Sequence, residues 1–180
     1  MVERARILDR EAHLNGLGYY NLSYTCTARE FVLKECDFDD NMWCGFRKKG
    51  ERKKFVWKMS RGNKTNLPSS DHTDPTANSK GFFAYVLHQN HPKDKAVASI
   101  EIDIDLISIQ KKCLTFWFFK NDSIHPLKVF DGDNSIETLF DMYYTWTKIL
   151  VPLKAKDNYK IILRVSRKSR DLDGGIAIDD

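Results

Sequence analysis

The chain has 180 residues, of which 42% are hydrophobic and 12% aromatic, and a formal net charge of +4. That is ample for one domain with its own core, short for two, and too apolar for a disordered chain. No apolar run approaches the roughly 20 residues of a membrane helix, and the mild positive charge permits an anionic partner without demanding one.

The opening, MVERARILDREAHLNG, is charged throughout and has no apolar segment, so it does not read as a secretory signal. By itself this favours a cytosolic protein or a module cut from a longer chain. Residues 1–34 are polar and without a sustained period, and they read as an N-terminal extension or linker, partly disordered. Residues 35–180 form the domain.

From Phe31 onward the signals are those of strands. FVWKM (Phe55 to Met59) and GFFAYVLH (Gly81 to His88) are aromatic and branched. SIEIDIDLI alternates, with Ile100, Ile102, Ile104 and Leu106 on one face and Glu101, Asp103 and Asp105 on the other, as in a half-buried strand. CLTFWFF (Cys113 to Phe119) is apolar on both faces and reads as a central strand. YKIILRV alternates again, with Tyr159, Ile161, Leu163 and Val165 inward. The polar stretch from Gly62 to Gly81, and NHPKDK, NDSIHP, DGDNS and DLDGG, read as loops and turns. Short strands between loops, with no helical period, predict an all-β sandwich or barrel.

Chemistry-bearing motifs are sparse. The histidines His13, His72, His88, His91 and His125 are scattered, and there is no HExxH pair, Gly-rich phosphate loop or GxSxG elbow. DGDNSIE lacks the third acidic position and the glycine of a calcium loop. Two stretches are basic: RKKGERKK, with Arg47, Lys48, Lys49, Arg52, Lys53 and Lys54, and RVSRKSR from Arg164 to Arg170. They suit either an acidic polymer, a sulfated glycan or nucleic acid, or solvated turns that protect a strand edge from pairing. Three glycosylation sequons occur, at Asn21, Asn63 and Asn121.

The stretch CDFDDNMWCGF, Cys36 to Phe46, places seven residues between two cysteines. The spacing is not that of a redox CxxC, and Cys26 and Cys113 are too isolated to complete a zinc site. A disulfide closing a short loop and two buried free thiols remain level on the residues alone.

Taken in order, these motifs resemble the MAM domains, extracellular modules of meprins, neuropilins and receptor-type tyrosine phosphatases of the mu class. The resemblance rests on Cys36-Asp37-Phe38-Asp39, Cys44-Gly45-Phe46, Phe55-Val56-Trp57, Asp71-His72-Thr73, Gly81-Phe82-Phe83, Cys113-Leu114-Thr115-Phe116-Trp117, Trp146 with Tyr159 to Val165, and Ile176 to Asp180. Asp39 stands where the family usually has Glu, and NDSIHP replaces the glycines usual after the third cysteine's strand.

The resemblance implies a jelly-roll β-sandwich of two antiparallel sheets and a disulfide between Cys36 and Cys44. It places the usual partner of Cys113 beyond Asp180, so the domain reads as C-terminally truncated, with Cys113 orphaned or joined to Cys26. It implies a non-catalytic adhesion module in the ectodomain of a secreted or single-pass membrane protein. The partners would be other extracellular protein domains, homophilic ones included, and not nucleic acid. The alternatives are a jelly roll that binds sulfated glycans, or an accessory domain of an extracellular protease or phosphatase. A structural calcium ion between Asp39, Asp71 and Asp180 is a further expectation by analogy with other jelly rolls.

Overall fold

The computed structural model describes residues 36–38, 42–50, 55–62, 67–72, 81–87, 96–105, 112–121, 125–167 and 174–179. Within them there are ten strands and no helix. They are β1 (Arg47–Gly50), β2 (Lys58–Ser60), β3 (Phe83–Leu87), β4 (Ala96–Asp105), β5 (Lys112–Lys120), β6 (Leu127–Asp131), β7 (Asn134–Leu139), β8 (Tyr143–Leu153), β9 (Asn158–Arg167) and β10 (Gly175–Asp179).

The strands form two five-stranded antiparallel sheets. The first runs β1-β4-β9-β6-β7 and the second β2-β3-β10-β5-β8. The chain forms the all-β sandwich that its alternating segments predict, in the jelly-roll form that the resemblance implies. Ile100, Ile102, Ile104, Ile161, Leu163 and Val165 of the first sheet face Ala84, Val86, Phe116, Phe118, Ile176 and Ile178 of the second in one core cluster. Trp57, 1% exposed, lies in the same cluster just before β2. Period-two alternation produces this, because every second side chain on a strand points to the same face.

The reading of CLTFWFF as apolar on both faces has a physical cause. β5 lies between β10 and β8, and its outer face is covered too. Phe119 joins Phe83, Tyr85 and Ala177 in a second cluster, with Leu67, Leu87 and Trp146 packed against it. Residues Leu67 to His72 thus lie over the outer face of the second sheet. Gly62 makes this path possible. Its φ is +100°, and an added Cβ would stand 2.0 Å from the Ser69 carbonyl oxygen, so only glycine lets the two backbones approach.

Sequence pattern alone does not announce β1, β6, β7 and β8. RKKG forms a strand at an edge of the first sheet, paired with Ala98 to Glu101 of β4. DGDN is the turn of the β6–β7 hairpin, with Gly132 at φ +59°.

Candidate interaction surfaces

Cys36 and Cys44 form a disulfide with Cα atoms 5.5 Å apart. Phe46 N donates to the Trp43 carbonyl at 2.6 Å, and the two residues between them, Cys44 (φ 49°) and Gly45 (φ 89°), are left-handed. Phe38 packs near Trp43 and Phe46, with ring centroids 6.2 and 6.4 Å away. Closing so short a loop is worth about 2–3 kcal/mol by the loop-entropy estimate. The turn leads directly into β1. Cys113 is also disulfide-bonded; Cys26, the remaining cysteine of the four in the chain, lies outside the described residues. No cysteine among the described residues is a free thiol nucleophile.

Of the three carboxylates expected to hold a cation, Asp71 is described and 1% exposed. Asp39 and Asp180 lie outside the described residues. The neighbouring Asp179, 2% exposed, accepts from the His72 backbone N–H at 3.1 Å and lies 3.3 Å from His72 Nδ1. The His72 ring stacks on Trp117 at 4.4 Å, and Trp146 Nε1 donates to the Ser70 carbonyl at 3.0 Å. Ser70 and His72 therefore act as a clasp that holds the 67–72 segment to the second sheet. Among the described residues no group of three or more His, Cys, Asp or Glu is placed to hold a metal.

The first basic stretch is described at Arg47, Lys48 and Lys49; Arg52, Lys53 and Lys54 lie outside the described residues. β1 sends Arg47 and Lys49 to the outer face of the first sheet, opposite Glu101 and Ser99. Lys49 Nζ lies 3.0 Å from Glu101, Arg47 pairs with both Glu101 and Asp103, and Lys160 approaches Glu101 at 3.7 Å. Glu101 is 4% exposed. Burial would raise its carboxyl, but the Lys49 hydrogen bond and the charges of Lys160, Lys49 and Arg47 outweigh this and hold it below its ordinary value. The Arg47 hydrogen bond holds Asp103 low in the same way. Lys48 lies 4.8 Å from the Trp43 ring centroid. Arg47 and Lys49 are therefore matched by the acidic face of β4, and Lys48 lies on the Trp43 ring.

Of the sequons, Asn121 is described. Its Oδ1 accepts from Gly175 N at 2.6 Å, so the side chain braces the start of β10. Asn21 and Asn63 lie outside the described residues.

Sequence reasoning missed one surface, the corner between β7 and β8. These are edge strands of different sheets, so the chain crosses there from one sheet to the other. Phe140, Met142 and Tyr144 are 63%, 44% and 66% exposed. The backbone beneath them is fixed. The fully buried Lys120 donates from Nζ to the Phe140 carbonyl at 2.6 Å, and Tyr143 packs edge-on against Phe118 at 5.7 Å. Tyr144 OH donates to Met142 Sδ at 3.2 Å. The signal in the sequence was LFDMYYTW, whose apolar residues outnumber what one buried face needs.

The family model for the MAM domain, meprin/A5/mu, matches residues 36–180. The chain belongs to the MAM domain family. MAM domains are extracellular modules, and the disulfides fit an oxidising setting. No curated protein matches the chain. Among solved structures, the TmCBM61 module in complex with β-1,4-galactotriose is similar at 18% identity and TM-score 0.52, over 80% of this chain and 90% of that one. At that identity the likeness is one of fold. The enzymatically active domain of bacteriophage CBA120 tailspike protein 4 is similar at 16% identity and TM-score 0.49, over 79% of this chain and 20% of that one. A structure of carbohydrate-binding modules from the β-sandwich superfamily is similar at 12% identity and TM-score 0.48, over 79% of this chain and 58% of that one.

Proposed function

We propose that this MAM domain is a non-catalytic adhesion module that docks another extracellular protein domain, a second copy of itself included, through the β7–β8 corner. The observation that supports this is the grouping of Phe140, Met142 and Tyr144 in the open on a backbone held by a buried lysine. Large apolar side chains exposed together cost solubility, and they are kept where a partner covers them. Aromatic anchors on a rigid backbone lose little entropy on binding and dominate interface energies. The test is self-association by sedimentation, and capture of ectodomain partners, with the glycosylated full chain. Replacing Phe140 and Tyr144 together by Ser should weaken association by about 30-fold, the size of one 2 kcal/mol hot spot. Undiminished association of a folded double variant would refute the assignment.

The same reading includes one structural calcium ion held by Asp71 with Asp39 and Asp180. A buried carboxylate supplies the hard oxygen that calcium prefers, and Asp71 is buried. The ion would tie the 67–72 segment to the end of the chain; it takes no part in any reaction. Adding excess calcium to chelated protein should raise the melting temperature, and an unchanged melting curve would remove the ion.

A further inference from the structure

The outer face of the first sheet carries two like charges in direct opposition. Arg164 on β9 is the Cα partner of Lys128 on β6. Ser99 on β4 and Lys49 on β1 extend the same row to one side, and Thr138 on β7 extends it to the other. The row crosses all five strands, roughly 19 Å for four interstrand gaps. Like charges opposite each other destabilise a sheet.

At the β1 end the chain settles its own charges. Glu101 takes up Lys49, Lys160 and Arg47, and Asp103 takes up Arg47. At the β9–β6 pair it does not. Among the described residues no carboxylate forms an ion pair with Arg164 or Lys128. The Arg164 guanidinium stacks on Phe130 at 4.5 Å, which fixes its plane. Its Nε is shut off from solvent and has no hydrogen-bond partner in the protein. Two opposed, partly exposed cations, one held flat on Phe130, beside the half-exposed Thr138, form a place where an anion would relieve the repulsion between them.

We propose that Arg164 and Lys128 bind a sulfate group of an extracellular polysaccharide that lies across the strands of the first sheet. The position on the sheet selects the polymer. On a sheet face the backbone donors and acceptors are already spent on the ladder, so an extended acidic peptide would find only side chains there and would do better at an edge. A sulfated glycan needs no backbone partner and offers sulfates to the cations and hydroxyls to Thr138. The charge pattern selects the direction. Glu101 and Asp103 would repel a polyanion running along β4 toward Asp105, whereas the Lys49–Ser99–Arg164–Lys128–Thr138 row contains no acid. The cation pair lies on β9 and β6, inside the β7 edge that leads to the corner, and the inference goes beyond the protein-docking reading.

The test is titration of the full chain with a heparin decasaccharide, and with its desulfated form, poly-glutamate and inorganic sulfate as further arms. The Lys128→Gln, Arg164→Gln double variant should weaken decasaccharide binding at least about tenfold and lower the slope of log Kd against log salt by about two. Lys148→Gln, which removes one positive charge from the second sheet, should bind as the wild type does, unlike Lys128→Gln. Should the Arg164 variant melt early, Lys128→Gln alone should still cost about threefold, one charge of the pair. Equal affinity for desulfated decasaccharide or for poly-glutamate would overturn the proposal. So would binding to free sulfate only, an equal loss in Lys148→Gln, or a loss produced by Lys53→Gln, Lys54→Gln and not by the pair.

Discussion

The two outer faces of the sandwich are finished in opposite ways. On the second sheet the chain covers itself. His72 lies flat on Trp117, Trp146 reaches the Ser70 carbonyl, and Phe83, Tyr85 and Phe119 are buried beneath. On the first sheet the outer face is finished mostly with charged side chains, over Ile162 and Phe130: matched at β1–β4, unmatched at β9–β6. An aromatic face is therefore no guide to a binding face here. The aromatic face stabilises, and the face left polar is the one free to recognise an anion.

The strongest way to break this contrast is to open the second sheet. Trp146→Ala removes the bond to Ser70 and the contacts to Phe83 and Phe119, 5.5 and 6.1 Å between ring centroids. It should cost about 3 kcal/mol in urea denaturation and leave heparin retention as it was. A parallel loss of retention in the folded variant would mean that the aromatic face takes part in binding after all.

A smaller effect, of opposite sign in binding, comes from the matched end of the first sheet. Glu101→Gln leaves Lys49, Lys160 and Arg47 without their shared carboxylate. The melting temperature at neutral pH should drop by about 2–4 °C, the equivalent of roughly 1 kcal/mol. Because the folded carboxyl titrates below its ordinary value, its stabilisation is complete above the unfolded pKa of about 4.3 and fades as pH falls through the lower folded value. The gap between the two proteins should therefore close on acidification. At neutral pH the variant should elute later from heparin, since its face has gained one net positive charge. Earlier elution would show that Glu101 itself helps to orient the ligand.

How much of this was legible follows from what each signal depends on. Alternation in SIEIDIDLI and YKIILRV is a local pattern with one physical cause, a strand with one face buried, and both became long paired strands. The ordered cysteines and aromatics from Cys36 onward carried the family, and the Cys36–Cys44 bond is present. The sites were less legible because they depend on register. RKKGERKK looks like a free basic patch until β1 is laid beside β4, whose Glu101 and Asp103 absorb Arg47 and Lys49. Arg164 and Lys128 are 36 positions apart and become neighbours only through the β6–β9 ladder. The β7–β8 corner was hidden for a different reason: a run such as LFDMYYTW has no strict period, so the sequence does not say which of its apolar residues stay outside.

The smallest expected effect sharpens the comparison from inside the second sheet. Thr115 on β5 sits opposite Leu150 of β8, on the same side as Trp117 and Phe119, and is 4% exposed. Its Oγ1 is buried and has no hydrogen-bond partner. A buried hydroxyl without a partner carries its desolvation penalty uncompensated, and Val has nearly the same shape without the hydroxyl. Val is also at least as well suited to a strand. Thr115→Val should therefore raise stability, by up to about 1 kcal/mol, and the melting temperature by about 2–4 °C. A binding face would have a use for that hydroxyl, and a sealed face has none. Heparin retention and partner capture should thus be unchanged while stability rises. A stability loss would mean that an ordered water satisfies Oγ1, and a binding loss would mean that the 67–72 segment lifts away from the second sheet to admit a ligand.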